Sequence, residues 1–246
     1  MDRRWQKEGG QETVRRSLMR WPGIGLLLLL VVATSGCLAG RPVETPEPDP
    51  LQALLTPPSW PASATRDAPS IDLTLLAREI HTQVNAVREQ HALPPLAWTS
   101  RLEPVAQAHS QDMATNAFFG HVNPRGENPN DRARNTGFID QVQVGDYLIV
   151  GIGENLFLTH HFWAYHILQQ EDGARHYLFD WKTPQEIARQ TVESWMQSLT
   201  HRANLLSPLY QAEAIGIVRT AGEALFITQN LACRADDALA HAPPAR

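Results

Sequence analysis

The sequence predicts the α+β fold class, with helices in the first half of the domain and a β-hairpin at its end. Apolar residues recur at intervals of three and four from residue 73 to residue 87, which predicts a long amphipathic helix. Residues 214–220 and 224–232 are apolar or rich in β-forming residues and are joined across a short turn at 221–222, which predicts an antiparallel hairpin. Strands and helices do not alternate regularly between them, so we expect layered helices and strands rather than a parallel βαβ sheet.

The second helix is predicted from its first residues and its apolar stripe. Ser100 and Glu103 have the spacing of a capping box, in which each side chain bonds to the backbone N–H group of the other residue. From Leu102 to Met113 the apolar positions then share one face, and His109 falls on that face. We therefore interpret His109 as a buried histidine with its hydrogen bonds satisfied, in preference to a ligand.

Three further elements are predicted in chain order. Residues 130–135 form a short third helix that Gly137 closes, and residues 147–150 form a strand. Thr183, Pro184 and Glu186 have the order of an N-cap, a first-turn proline and a reciprocal Glu, which opens a helix that contains Trp195. We predict that Trp195 lies in the core.

Composition excludes several classes of protein. The chain has 246 residues, two cysteines and a formal net charge of −5, which suits one globular domain and excludes a disulfide-built scaffold. The sequence lacks a polybasic footprint, so nucleic acid is not an expected partner. A metal, if one binds, would have to be held by His and carboxylate side chains.

The N-terminus predicts export. Residues 1–36 combine a basic flank, a short apolar run and the small residues that precede Cys37, the pattern of a signal peptide. The ending before Cys37 resembles a bacterial lipobox, so we expect Cys37 to be lipidated and the protein to be a cell-surface or periplasmic lipoprotein, otherwise secreted. An uncleaved signal anchor is the alternative, although the apolar run is short for a membrane span.

The rest of the chain divides into a tether, a domain and a tail. Residues 37–70 are rich in proline, which predicts a semi-rigid spacer that holds the domain away from a membrane. Residues 71–235 form the domain, and residues 236–246 a disordered tail. Cys233 then has no partner, and we interpret it as a small buried apolar residue.

Four short segments contain the remaining residues that could indicate a function. Metalloprotease, serine-hydrolase and P-loop signatures do not occur in the sequence. The four segments are residues 118–126, which contain His121, residues 153–156, which contain Glu154, residues 195–206, which contain His201, and residues 215–217 followed by 228–230. In this order and spacing they resemble the CAP superfamily, also called the SCP domain. The resemblance implies an α-β-α sandwich with a small antiparallel sheet between helical layers.

In that family a cleft gathers two histidines and two acidic residues. By motif match His121, Glu154 and His201 take three of these four places, and Ser198 stands at the fourth. Glu193 is on the same helix but five residues earlier, so it would point about 140° away. The resemblance therefore implies a site of two histidines and one glutamate.

Two functions are open for such a site. Two imidazoles and a carboxylate could bind Zn²⁺ with an open water position, or they could hydrogen-bond one another. One hypothesis is an exported, lipid-anchored binding module for an apolar lipid-like ligand, a peptide or a cell-envelope component. The alternative is a metal-assisted hydrolase that uses His121, Glu154 and His201. A nucleophilic Ser or Cys next to a histidine is not identifiable in the sequence, which favours binding.

Residues 157–183 are an aromatic and histidine-rich insertion relative to the family. The segment contains four of the ten histidines of the chain. It is either a lid or ligand wall beside Glu154, or an insertion that buries aromatics on its own flank. We favour the second interpretation for the histidines, whereas the aromatic residues are more suggestive of a binding surface.

Overall fold

The computed structural model describes Leu55, residues 61–65 and residues 67–234. The predicted signal peptide, Cys37, most of the tether and the tail from residue 236 lie outside the described residues. Residues 163–180 belong to a compact unit of their own, and the other described residues belong to a larger one. Each of these two units is described by itself.

Helices and strands of the described chain have the following bounds. A 3₁₀ turn spans Ala62–Thr65, and the α-helices are α1 Leu73–Gln90, α2 Glu103–Asn116, α3 Pro129–Asn135, α4 Pro184–Gln197 and α5 Leu199–Leu205. The strands are β1 Ala97–Trp98, β2 Gln141–Val144, β3 Tyr147–Val150, β4 Gly153–His160, β5 Phe162–Gln169, β6 Arg175–Trp181, β7 Ala212–Arg219 and β8 Ala224–Ala232. Within these residues, none of the helices is long and apolar enough to span a membrane.

The central sheet has the strand order β1-β7-β8-β4. Strands β7 and β8 form the predicted antiparallel hairpin, and β4 pairs antiparallel with β8 so that Glu154 lies opposite Asn230. The short strand β1 pairs parallel with β7. The sheet is therefore mixed, whereas a wholly antiparallel sheet was expected. The predicted α+β class is confirmed.

Helices cover both faces of this sheet. Alternate residues of β7 point to opposite sides, so Ile215 packs with α1 and α4 whereas Ala214 packs with α2. The larger core cluster includes Ile80 of α1 and Trp195 of α4. Trp195 has no exposed surface, which confirms its predicted place in the core. The arrangement is the α-β-α sandwich that the family resemblance implied.

Gly216 allows helix α2 to approach the sheet closely. A Cβ atom at this position would lie 2.2 Å from the backbone nitrogen of Gln107, which no side chain could accommodate. The hydroxyl of Ser110 also donates to the carbonyl oxygen of Gly216 at 2.9 Å. Glycine at this position therefore fixes the distance between α2 and β7, and with it the position of His109 on the same helix.

One of the two predicted capping boxes forms. Thr183 and Glu186 bond reciprocally at the start of α4, as predicted. The predicted box of Ser100 and Glu103 is wrong, because α2 begins at Glu103 after Leu102 and has no side-chain cap. The carboxylate of Glu103 instead accepts a 2.6 Å hydrogen bond from the indole N–H of Trp98.

The smaller unit lies inside the predicted 157–183 insertion. Strands β5 and β6 pair as a two-stranded sheet, in which the rings of Tyr165 and Phe179 pack at a centroid separation of 5.9 Å. Residues 157–160 belong to β4 of the central sheet, and the bounds 157–183 of the insertion stay a prediction. Its role as a lid or as a flank stays a prediction.

Candidate functional site

The structure brings His121, Glu154 and His201 together from three different elements. Glu154 lies on β4, His121 on the loop after α2, and His201 on α5. Nδ1 of His121 donates to Oε1 of Glu154 at 2.9 Å. The rings of His121 and His201 have a centroid separation of 6.3 Å and meet edge to face. The imidazole of His121 thus lies between the carboxylate of Glu154 and the ring of His201 in this chain of contacts.

Glu154 is a buried carboxylate that accepts three hydrogen bonds. Its second oxygen, Oε2, accepts from the guanidinium of Arg132 at 2.7 Å and from the amide of Asn230 at 3.0 Å. Burial by itself would raise the pKa of Glu154, but the hydrogen bond from His121 and the charge of Arg132 outweigh burial and hold the pKa below its ordinary value. Glu154 is therefore ionised, and its charge is balanced inside the protein.

Arg132 connects this carboxylate to the loop that carries His121. Its Nη2 bonds to Glu154, while its Nη1 donates to the carbonyl oxygens of His121 and Glu127 at 2.8 and 2.9 Å. Arg132 is on the short helix α3, which Asn128 caps in a reciprocal box with Asp131. One buried guanidinium thus fixes both the position of Glu154 and the path of the His121 loop.

His109 lies behind the site and has no exposed surface. Its Nε2 donates to the carbonyl oxygen of Gly120 at 3.0 Å, and the same nitrogen is 3.8 Å from Oε1 of Glu154. Burial is the main cause that lowers the pKa of His109, although the charge of Glu154 opposes it. His109 is buried as predicted, but its hydrogen bonds are not all satisfied, because Nδ1 has no partner among the described residues. The structure adds the proximity of Nε2 to Glu154.

His201 and Ser198 occupy the opposite wall. Ser198 is the N-cap of α5, and its hydroxyl accepts the backbone N–H of His201 at 3.5 Å. Burial, and then the charge of His121, lowers the pKa of His201. Glu193 is exposed and pairs with Arg189 on its own helix, so it does not replace the acid that Ser198 displaces.

A row of buried amides fixes the backbone on which His201 and Glu154 lie. The side chain of Asn155 donates to the carbonyl oxygen of His201 at 3.2 Å and to Gln229 at 2.8 Å. Asn204 donates to the carbonyl oxygen of Glu154 at 3.1 Å. Gln229 continues the row to the buried carboxylate of Glu213. The site backbone is therefore hydrogen-bonded from both sides of strand β4.

The arrangement does not fit the three-ligand zinc site that the sequence left open. Across the described residues, no three His, Cys, Asp or Glu side chains are placed so that they could hold a metal ion. Both oxygens of Glu154 already accept hydrogen bonds, and one faces the positive charge of Arg132, which would repel a divalent cation. The hydrogen-bonded alternative is the one that the geometry supports.

A groove with mainly apolar walls opens beside His201. Its volume is about 300 Å³, and it lies along the free edge of β4 between that strand and helices α4 and α5. The indole of Trp195 closes its floor by donating to the carbonyl oxygen of Leu156 at 3.0 Å. The lining residues are Phe119, Leu156, Phe157, Leu158, Ser194, Trp195, Ser198 and His201.

Comparison with known proteins identifies the family. The model of the cysteine-rich secretory protein family, named CAP, matches residues 81–231, which includes every residue of the site. The chain belongs to the CAP family. Two uncharacterized proteins of Bacillus subtilis (strain 168) resemble it: YkwD is 26% identical over 158 residues and the membrane protein YlbC 28% over 157 residues. The aligned part is 64% of this chain, 48% of YkwD and 34% of YlbC, so this CAP protein spans half or less of each relative.

Two solved structures of bacterial proteins also match part of the chain. An extracellular protein containing a SCP domain from Bacillus anthracis str. Ames is 24% identical, with a TM-score of 0.46 over 65% of this chain and 40% of that one. An outer surface protein from Borrelia burgdorferi is 13% identical, with a TM-score of 0.47 over 67% of this chain and 97% of that one.

Sequence reasoning missed the partners of Glu154. Arg132 and Asn230 bind its Oε2, yet the sequence patterns assign a role to neither. Asn230 could have been found, because its segment belongs to the fourth motif and the pairing of β4 with β8 places it opposite Glu154. The sequence gives no comparable signal for Arg132, because arginines in a polar seven-residue helix, here Arg132 and Arg134, are normally exposed.

Proposed function

We propose that this CAP protein is exported and lipid-anchored and that it acts as a binding module for a ligand with an apolar part. The observation that carries the proposal is the groove beside His201, which places an apolar wall next to the imidazole of His201. The ring of His121, which a hydrogen bond to Glu154 holds in position, lies 6.3 Å from that imidazole between centroids. Apolar pockets with a few convergent polar groups are typical ligand sites. His121 and His201 would bind the polar end of the ligand.

The size of the groove indicates the size of the apolar part. A volume of about 300 Å³ accommodates on the order of ten non-hydrogen atoms. This is the size of a short acyl segment or of one large side chain of a peptide. Leu156 and Leu158 would contact the ligand from the strand, and Phe119 would contact it from the loop.

Hydrolysis is less well supported by the geometry. Neither His121 nor His201 has a hydrogen bond between its ring and a Ser, Thr or Cys side chain in the described part of the chain, so an activated nucleophile is not formed there. Glu154 is buried and both of its oxygens already accept hydrogen bonds, which leaves it poorly placed as a general base. Its role in the proposal is to orient His121.

A fluorescent fatty acid tests the proposal directly. Cis-parinaric acid should bind the full chain saturably, and Phe119→Ala should weaken its binding about tenfold because an aromatic wall of the groove is removed. Leu199→Ala is the matched control, since Leu199 is 78% exposed and does not line the groove. Unsaturable binding, or equal weakening by both substitutions, would contradict the proposal. Peptide or ester turnover that His201→Ala abolishes would favour the hydrolase instead.

A further inference from the structure

Strand β4 is an edge of the central sheet, so one side of its backbone does not face a neighbouring strand of that sheet. The N–H of His161, the residue after β4, donates to the carbonyl oxygen of Glu223 at 2.8 Å, which continues the register of β4 with β8. Because opposite residues of antiparallel strands alternate between bonded and non-bonded pairs, the odd-numbered residues of β4 bond to β8. The even-numbered residues, whose backbone groups point away from β8, are Glu154, Leu156, Leu158 and His160.

Side chains cover three of these four outward carbonyl groups. The three hydrogen bonds run from Asn204 to Glu154, from Trp195 to Leu156 and from Lys182 to His160, at 3.1, 3.0 and 2.8 Å. Among the described residues, none of the hydrogen bonds reaches the outward N–H or C=O group of Leu158. Proteins commonly cover an edge strand, since open backbone groups pair with other chains. The outward carbonyl groups of β4 are therefore covered except at Leu158.

The uncovered position belongs to the groove, because Leu158 is one of its lining residues. The covered carbonyl groups on either side, those of Leu156 and His160, are four residues apart, which is about 13 Å along a strand. One pair of opposed residues in an antiparallel sheet repeats after about 7 Å. The open stretch of the edge therefore has room for one residue of an extended chain opposite Leu158.

The chemistry of this position favours a ligand that contains amide groups. A purely apolar ligand would leave the N–H and C=O groups of Leu158 without partners, and an unpaired buried backbone group costs free energy. Sites with such groups discriminate against analogues that lack the partner. An extended peptide supplies one acceptor and one donor at the spacing of a strand, as in complexes where a peptide adds to the edge of a sheet.

We propose that the ligand is an extended peptide that pairs with the backbone of Leu158 and places one large apolar side chain in the groove. The proposal rests on the proposed function, because it names the class of ligand for the same groove. The N–H of Leu158 would donate to a carbonyl oxygen of one peptide residue, and the C=O of Leu158 would accept the N–H of that same residue. The backbone pairing would supply affinity, and the groove would select the apolar side chain.

Amide hydrogen exchange in the wild-type full chain tests this pairing at a single atom. NMR follows the exchange in the free protein, with saturating acetyl-Ser-Phe-Ser-amide and with saturating cis-parinaric acid. The peptide should slow exchange of the Leu158 N–H about tenfold or more, whereas the fatty acid should slow it less than about twofold. Phe157 is the control, because its N–H points to β8 and should be protected in all three samples.

Three results of this measurement would overturn the proposal. Protection of the Leu158 N–H to the level of Phe157 in the free protein would show that the edge is not open. Unchanged exchange with the peptide would show that Leu158 does not pair with it. Equal protection by the peptide and the fatty acid would assign the effect to burial and not to pairing.

N-methylation of the peptide provides a second measurement that needs no protein variant. A methyl group replaces the amide hydrogen of each of the three peptide residues in turn, and calorimetry measures binding. Because successive N–H groups of an extended chain point in opposite directions, at least one methylation should weaken binding about tenfold and at least one should change it less than about twofold. Equal effects at all three positions would contradict the pairing.

The two probes also separate this proposal from the proposed function. If the fatty acid binds saturably and the peptide does not bind, the peptide proposal fails and the proposed function stands. If the peptide binds with the expected methylation pattern and the fatty acid does not bind, the pairing holds and the fatty-acid test of the proposed function fails. If neither probe binds, both fail.

Discussion

A buried charge is tolerated in this site because each of its oxygens has a donor. The side chain of Glu154 is 1% exposed and that of its partner Arg132 is 8% exposed, so each would be costly to bury without the other. The pair therefore serves to place His121 and its loop, and its removal should affect stability before it affects any ligand.

Glu154→Gln should destabilise the protein by about 3 kcal/mol, because it leaves the buried guanidinium of Arg132 without a counter-charge. Urea unfolding at neutral pH measures the loss. Glu193→Gln is the control, since its ion pair with Arg189 is exposed on both sides and should be worth less than about 0.5 kcal/mol. Adding Arg132→Met to Glu154→Gln should recover part of the loss, and equal stability of wild type and Glu154→Gln would contradict the buried-pair account.

The environment of His160 predicts how the free energy of unfolding depends on pH. Burial and the charge of Lys182 lower the pKa of His160 to about 4, while the unfolded value is 6.5. The unfolded chain therefore binds the proton first, and the free energy of unfolding should fall as pH decreases from about 6.5 towards 4. Between pH 7 and pH 5 this residue should account for about 2 kcal/mol of the loss.

The measurement compares the wild type with His160→Phe, which keeps an aromatic ring against Phe162, 4.8 Å away between centroids. The variant should lose less stability than the wild type over the same pH interval. Identical pH dependence in the two proteins would show that His160 is protonated in the folded state as readily as in the unfolded one.

The resemblance to the CAP family could locate the site residues, because the motifs of a family mark positions that its fold brings together. It indicated His121, Glu154 and His201, which three separate elements place in one cleft. It could not indicate Arg132, because the burial of that side chain depends on where a seven-residue helix packs and not on any local pattern. Nor could it show that the donors around Glu154 disfavour a metal, since that is a property of three-dimensional contacts.

At the scale of elements, a capping pattern predicts a helix start only when its residues are not engaged elsewhere. Thr183 with Glu186 and Ser100 with Glu103 have the same spacing, yet only the first pair forms a box. The periodicity of apolar residues predicted α1 and the hairpin of β7 and β8 more reliably than capping patterns predicted helix starts. These elements bury long apolar stripes, so no single contact decides whether they form.

Thr183→Ala should therefore destabilise the protein by about 1 kcal/mol, the usual contribution of an N-cap hydroxyl. Ser100→Ala should change stability by less than about 0.5 kcal/mol, because α2 has no side-chain cap to lose. Thermal or urea unfolding of the two variants measures both losses of stability. Equal losses would mean that the box at Ser100 forms in solution.

At the scale of the whole molecule, the length of the tether limits how far the domain can lie from an anchor at Cys37. Between Cys37 and Leu73, the first residue of α1, the chain has 36 residue steps, which span at most about 130 Å when fully extended. This limit applies only if Cys37 is acylated.

Cys37 should incorporate labelled fatty acid when the full chain is expressed in a bacterium that processes lipoproteins, because a basic flank, an apolar run and small residues precede it. Cys37→Ser should abolish the label, whereas Cys233→Ser should not, since Cys233 is buried in the domain. A single acyl chain binds membranes only marginally, so fractionation should show stable attachment only if more than one chain is added. Equal labelling of wild type and Cys37→Ser would contradict the lipid anchor and leave secretion or an uncleaved signal anchor as the alternatives.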